Sequence, residues 1–248
     1  MWHLTLVQKQ ADIDHNEFLK GEIVKFQVRN SMYCKTYISY YNQCLYVSYM
    51  MQHKLVVFDE KESTHLELIQ RLWRAVNTNQ EFPGLNSAKW IDLGFQGKNP
   101  ISDLRAAGLL GLEHLVYFAE TYPNNFKKIL AEQNTLPVER QYPGAWRWNF
   151  TTKYISDTLT RTVATAGINI TNLMATVFTT ASKVYPMIFE QNGLLNMYCI
   201  IFEKLDVEWY KQNATYMQFN ALFETIKTRL ASLLDYGKLG VELFKVIY

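Results

Sequence analysis

Several stretches of this chain bring together residue types that could do chemistry, and the spacing within each decides what chemistry is open to it. GFQGKN, from Gly94 to Asn99, begins like a phosphate-binding loop. The complete loop needs glycine where Asp92 stands and Ser or Thr where Asn99 stands, so the chain is not expected to bind nucleotide by itself. Asp12, Asp14 and Asn16 open like a calcium loop, but Glu17 occupies its glycine position and Ile23 its bidentate glutamate position. His3, His15, His53, His65 and His114 are scattered, with no HExxH or CxxC spacing, so no metal is expected. No GxSxG occurs, and His114 has no serine or cysteine placed to serve as its nucleophile. No cofactor is expected either.

One segment survives these exclusions. From Trp90 to Glu120 the chain reads WIDLGFQGKNPISDLRAAGLLGLEHLVYFAE. Gly94 and Gly97 bracket Phe95 and Gln96 and open backbone conformations closed to other residues, and Pro100 stiffens the approach to Ser102. Ser102 is the expected N-cap of a helix in which Gly108 and Gly111 lie three apart. Each glycine inside a helix costs up to about 1 kcal/mol relative to alanine, so another helix is expected to pack closely on that face. Arg105 would lie in the first turn, where a cation opposes the helix dipole. Locally it could pair with Asp103, extend over the surface or serve a partner, and spacing alone does not choose among these.

The elements around this segment read as helices. Ser63 is the expected cap for a helix over 64–76, with Leu66, Ile69, Leu72, Trp73 and Val76 forming one apolar stripe. The helix begun at Ser102 is expected to run through Leu104, Leu112, Leu115 and Phe118 and to stop at Tyr122-Pro123. A last long helix is expected from near Val207 through Tyr210, Tyr216, Phe219, Leu222, Phe223, Ile226 and Leu230 to Gly237. The Thr-rich stretch 151–180 keeps a 3.6-residue period despite its β-branched residues. Tyr37 to Met51 reads as a buried helix, and Gln133 to Phe150 as an ordered loop anchored by Trp146 and Trp148.

Composition bounds the rest. With 248 residues, 48% of them apolar and 15% aromatic, the chain is expected to bury a core. A net charge of +2 provides no field for steering nucleic acid. Cys34, Cys44 and Cys199 are an odd number, which disfavours a disulfide framework. The sequons at Asn149, Asn169 and Asn213 matter only in a secreted chain, and no secretory signal or membrane-spanning stretch is legible. The location expected is the cytoplasm.

Trp90, Gly94 to Gly97, Pro100, Asp103 to Arg105, Gly108 to Leu112 and Tyr117 to Ala119 together resemble the signature of the ELMO (engulfment and cell motility) domain. Ala166 to Thr171, Trp209 and Tyr216 to Leu230 extend the resemblance over most of 63–234. It implies an all-α, single compact multi-helix domain, with 63–236 as its core and 1–62 as a helical opening of the same domain. Proteins of the ELMOD type activate GTP hydrolysis by Arf- and Arl-group small GTPases, and the arginine of their Asp-Phe-Arg turn is regarded as catalytic. By position it is Arg105.

What the resemblance implies is therefore a GTPase activator that completes a partner's active site with an arginine finger, its partner a GTP-bound small GTPase of the Arf/Arl group. Gly94, Phe95, Gln96, Gly97 and Asp103 would touch the GTPase or support the site, with Gln96 expected to close its own loop. Peripheral membrane recruitment would come through the GTPase. The larger ELMO adaptors, which scaffold an exchange factor, generally lack the arginine, and a non-catalytic binding module is the other reading left open. Leu104 replaces the family's usual phenylalanine, and Ala106-Ala107 replaces a Gly-Met-like pair, a change expected to stiffen the turn after Arg105.

Overall fold

A computed structural model describes residues 45, 47–142, 163–180 and 192–235. Every regular element among them is helical: α1 over 47–55, α2 (Ser63–Val76), α3 (Lys89–Asp92), α4 (Ile101–Leu104), α5 (Gly108–Thr121), α6 (Pro123–Thr135), α7 (Val163–Thr180), α8 (Gly193–Lys211) and α9 (Phe219–Asp235). Single 3-10 turns at Val138–Arg140 and Tyr216–Gln218 complete the order. The expected all-α architecture is what the chain adopts.

The core is organised around α5. Its run from Gly108 to Val116 is buried without interruption, which requires neighbours on every side. α2, α6, α7 and α8 supply them. The α2 stripe meets α5 as its period demands, with Ile69, Leu72 and Trp73 buried. At the rim Arg71 grips Glu120 through Nε and Nη2 at 2.9 and 2.6 Å. Both side chains are about two-fifths exposed, so this bidentate pair is worth no more than ~1 kcal/mol.

On the other side of α5 a glycine again sets the spacing. A Cβ on Gly167 of α7 would lie 2.4 Å from the Tyr198 hydroxyl of α8 and 2.7 Å from Leu115 of α5. Three helices therefore converge at a point with no room for a methyl group. Tyr49, Met50 and Phe58 belong to the same buried cluster as these helices.

Boundaries differ from expectation in four places. Ser63 is the first residue of α2 rather than its cap, which falls at Glu62 without a side-chain bond. Ser102 does not cap a long helix: Pro100 precedes α4, Asn99 Oδ1 accepts the Ile101 N–H at 2.9 Å, and the Ser102 hydroxyl donates to the Asn99 carbonyl. The chain then breaks at 105–107 and restarts as α5. The long C-terminal helix is likewise two helices, because Asn213 takes a left-handed φ of 52° and Thr215 opens a new capping box with Gln218. Pro123 stops α5 as expected but also starts α6, the helix that periodicity did not find.

The loop containing Trp146 and Trp148, residues 151–162, Cys34, Cys44 and most of Tyr37 to Met51 lie outside the described residues. Among the described residues no helix is long and apolar enough to cross a membrane, and no cluster of His, Cys, Asp and Glu gathers to hold a metal ion.

Candidate functional site

The Trp90 to Gln96 half of the motif is built inward. Trp90 is fully buried, donates its indole N–H to the Gly84 carbonyl at 2.8 Å, and meets Trp73, Phe82 and Phe95 edge-on. Phe95 is also fully buried. It therefore supports the site from beneath and presents no surface to a partner. Gly94 has a φ of +83°, its carbonyl accepts the Ala164 N–H at 3.1 Å, and a Cβ there would sit 2.5 Å from the Val163 nitrogen. This glycine lets the loop touch the first turn of α7. Gly97 has no such need, since its φ is not positive and nothing lies within 4 Å of its would-be Cβ. The expectation that both glycines are conformationally required holds only for Gly94.

Asp103 closes the loop. Its carboxylate is buried and accepts the Gln96 backbone N–H at 2.8 Å, with the Ser102 hydroxyl at 3.4 Å. Burial pushes its pKa up, against the opposing pull of the Gln96 N–H, Ser102 and the Arg105 charge. The Gln96 side chain reaches Thr165 on α7 with Nε2 3.4 Å from the hydroxyl oxygen. Both bonds tie the loop to the fold.

Arg105 lies on the outer side of this loop. It follows α4 as its C-cap and precedes the restart of α5 at Gly108 by three residues. Its Nε donates to the Ser102 carbonyl at 2.8 Å, a bond that satisfies an end-of-helix acceptor. Placement in the first turn of a long helix is thus overturned: Arg105 is the C-cap of the short α4 and lies outside α5, two residues before its N-cap Ala107. The side chain is exposed, and Arg105 makes no ion pair among the described residues, Asp103 included. Leu104 and Ala107 on either side are buried, while Ala106 is exposed. An exposed guanidinium is thereby held on an anchored elbow.

The far side of the elbow rests on a segment that motif reading missed. Gly108 has a φ of +56°, and a Cβ there would lie 2.3 Å from the Lys54 carbonyl oxygen. The next N–H, of Leu109, donates to the Val56 carbonyl at 3.0 Å. A Cβ on Gly111, one turn on, would lie 3.1 Å from the Ala107 Cβ and only in ordinary contact, 3.4 Å, with Ile168 of α7, so the close helix packing expected to require glycine there is not what this position shows. The sequence signal for the 55–57 segment was its apolar run Leu55-Val56-Val57-Phe58, which follows no helical period.

His114 is buried inside α5 with Nδ1 2.9 Å from the Thr171 hydroxyl, and serves packing between α5 and α7. Cys199 is a buried free thiol whose pKa burial pushes up, away from the thiolate form a nucleophile needs.

With this geometry established, comparison defines the class. The sequence profile of the ELMO/CED-12 family matches residues 49–223, more than half of the chain. The chain belongs to the ELMO/CED-12 family. It is 28% identical over 219 residues to the ankyrin repeat and ELMO domain-containing protein D of Dictyostelium discoideum, covering 84% of this chain and 16% of that protein. Against ELMO domain-containing protein A of the same organism it is 29% identical over 206 residues, 77% of this chain and 20% of the relative. It is similar to human ELMO domain-containing protein 2 at 26% identity over 184 residues, covering 71% of this chain and 56% of that one. The chain thus spans between 16% and 56% of the length of these relatives.

Proposed function

We propose that this chain activates GTP hydrolysis by a small GTPase of the Arf/Arl group, with Arg105 acting in trans as an arginine finger. The observation that carries the reading is Arg105 itself: exposed, without an ion pair among the described residues, and held by its backbone on an elbow pinned at Asp103 and Gly108. A GTPase already supplies a phosphate-binding loop and Mg²⁺, so what a partner adds is positive charge on the transferring phosphoryl group. A planar guanidinium can bridge two phosphate oxygens with parallel N–H bonds, while a lysine presents one point charge. Such a finger is worth ~10³ to 10⁵ in rate, or roughly 4 to 7 kcal/mol.

The supporting residues have separable tasks in this scheme. Asp103 and Gly94 hold the loop shape, Gln96 links the loop to α7, and Phe95 fills the space beneath. The packing of Tyr49, Met50 and Phe58 into the common core supports reading 1–62 and 63–236 as one domain. A cytoplasmic site of action, with recruitment to membranes through the GTPase, follows from the same reading.

The decisive experiment measures single-turnover GTP hydrolysis by a panel of Arf- and Arl-group proteins with the wild-type chain and with Arg105→Lys. Stimulation by the wild type and a loss of about 10³-fold or more in the variant are expected. Undiminished stimulation by Arg105→Lys removes the finger. Binding of a GTP-loaded member without any rate enhancement would instead favour a non-catalytic module, a reading to which the altered residues Leu104, Ala106 and Ala107 beside Arg105 lend weight.

A further inference from the structure

We propose that Met51, Leu55 and Val57 form the apolar half of the docking surface whose charged half is Arg105, and that its occupant is the GTP-bound small GTPase itself. This rests on the reading of Arg105 given above. Leu55 is 76% exposed and Val57 75%, and Met51, four residues before Leu55 on the same face of α1, is 41% exposed. These residues add nothing to the core, yet their backbone is firmly held. The Leu109 N–H fixes the Val56 carbonyl, and Gly108 admits the Lys54 carbonyl at a distance no other residue allows. Upstream, Tyr49 donates to Glu113 Oε2 at 2.7 Å and His53 Nδ1 lies 3.0 Å from Glu113 Oε1, which clamps α1 onto α5.

Val56 packs partly buried against the core, while Leu55 at the end of α1 and Val57 just beyond it are exposed on either side of it. Apolar side chains on an already ordered segment lose little entropy on binding, the condition under which they contribute affinity. The anchor of this segment is the elbow that carries Arg105, three residues before Gly108. An occupant must therefore present an apolar face next to concentrated negative charge. A small GTPase with bound nucleoside triphosphate provides both, and it is the partner that Arg105 serves in the reading above; anionic lipid, which also sets negative charge beside apolar matter, is the rival that the vesicle arm below tests.

The test is binding of Arf- and Arl-group proteins loaded with a non-hydrolysable GTP analogue to the wild type, to the double variant L55S/V57S, to R105K, and to M217S, whose side chain is 75% exposed on the turn before α9. We expect L55S/V57S to bind at least ~10-fold more weakly than wild type and M217S to bind unchanged. In hydrolysis assays L55S/V57S should need correspondingly more protein for half-maximal stimulation yet reach the wild-type maximum, whereas R105K should lose the maximum. Equal binding by L55S/V57S, an equal loss in M217S, or no binding by any GTPase of the panel overturns the proposal. So does a wild-type dimer that L55S/V57S dissolves, or binding of the wild type to vesicles of anionic lipid that L55S/V57S abolishes without GTPase. Circular dichroism of the exposed-site variants controls for folding. R105K alone failing to alter the rate removes the finger and leaves the docking surface standing.

Discussion

Among the described residues, Asp103 and Asp206 hold carboxylates in surroundings that oppose their charge, and Asp103 is the one that shapes the site. Its carboxylate is what satisfies the buried end of the Gln96 N–H. Truncation to alanine leaves that donor orphaned and should cost about 1 to 3 kcal/mol, seen as a lower Tm in thermal unfolding. Asp103→Asn should cost clearly less, since an amide oxygen still accepts the bond and burial already disfavours the charge. Equal losses in the two variants would mean that the charge, and not the acceptor, is what the loop needs. For Arg105 the residue scale yields only permission: exposure and the lack of an ion pair among the described residues let it reach a partner, and the chemistry waits on that partner.

At the scale of elements the site is a pair of glycine-dependent junctions. Gly94 lets the loop meet the start of α7, and Gly108 lets α5 start against the end of α1. Either glycine replaced by alanine acquires both a left-handed backbone cost and a collision with main-chain atoms, so Gly94→Ala and Gly108→Ala should each lose at least about 2 kcal/mol of stability in urea unfolding. Gly97→Ala, with open space and an ordinary φ, should stay within about 1 kcal/mol of wild type. A severe loss at Gly97 would show that its role lies in something other than local geometry. The motif spacing presented these glycines as alike, and only the neighbours of each tell them apart.

Across the whole molecule, a buried link ties α8 to the chain leaving α6. Tyr142 is fully buried between Trp209 and Phe219 and donates its hydroxyl to Asp206 Oδ1 at 2.8 Å, while its N–H bonds Gln133 Oε1. Burial raises the Asp206 pKa to about 6, opposed by the Tyr142 bond and reinforced by Glu132, with Lys128 pulling the other way. A folded-state pKa above the ordinary 3.8 means that the native state holds this proton more tightly. The resulting stabilisation is complete below the ordinary value and is lost as pH rises through about 6, an effect on the order of 2–3 kcal/mol. Asp206→Asn does not titrate and keeps an acceptor for Tyr142. The stability of wild type relative to Asp206→Asn should therefore fall as pH is raised from 4 to 7.5. A pH-independent difference in chemical unfolding would refute the assignment.

The helical class, the apolar stripe of α2 and the stop at Pro123 were legible in the sequence, because periodicity and proline geometry are local properties of the chain, whereas Arg105 became a candidate only through the resemblance of the motif around it. Where helices break was not. The cuts after Leu104 and Lys211 are made by left-handed residues and short-range bonds whose payoff is contact with distant segments, Lys54 for Gly108 and Tyr142 for the helices on either side of Asn213. The charge environment of Arg105 also escaped the sequence, which placed it in a first turn. The fold places it at a helix end, exposed, on an elbow built from α1, α4 and α5. Nothing in the motif itself links Arg105 to Leu55 and Val57, some fifty residues earlier, because that proximity exists only once Gly108 has admitted the end of α1.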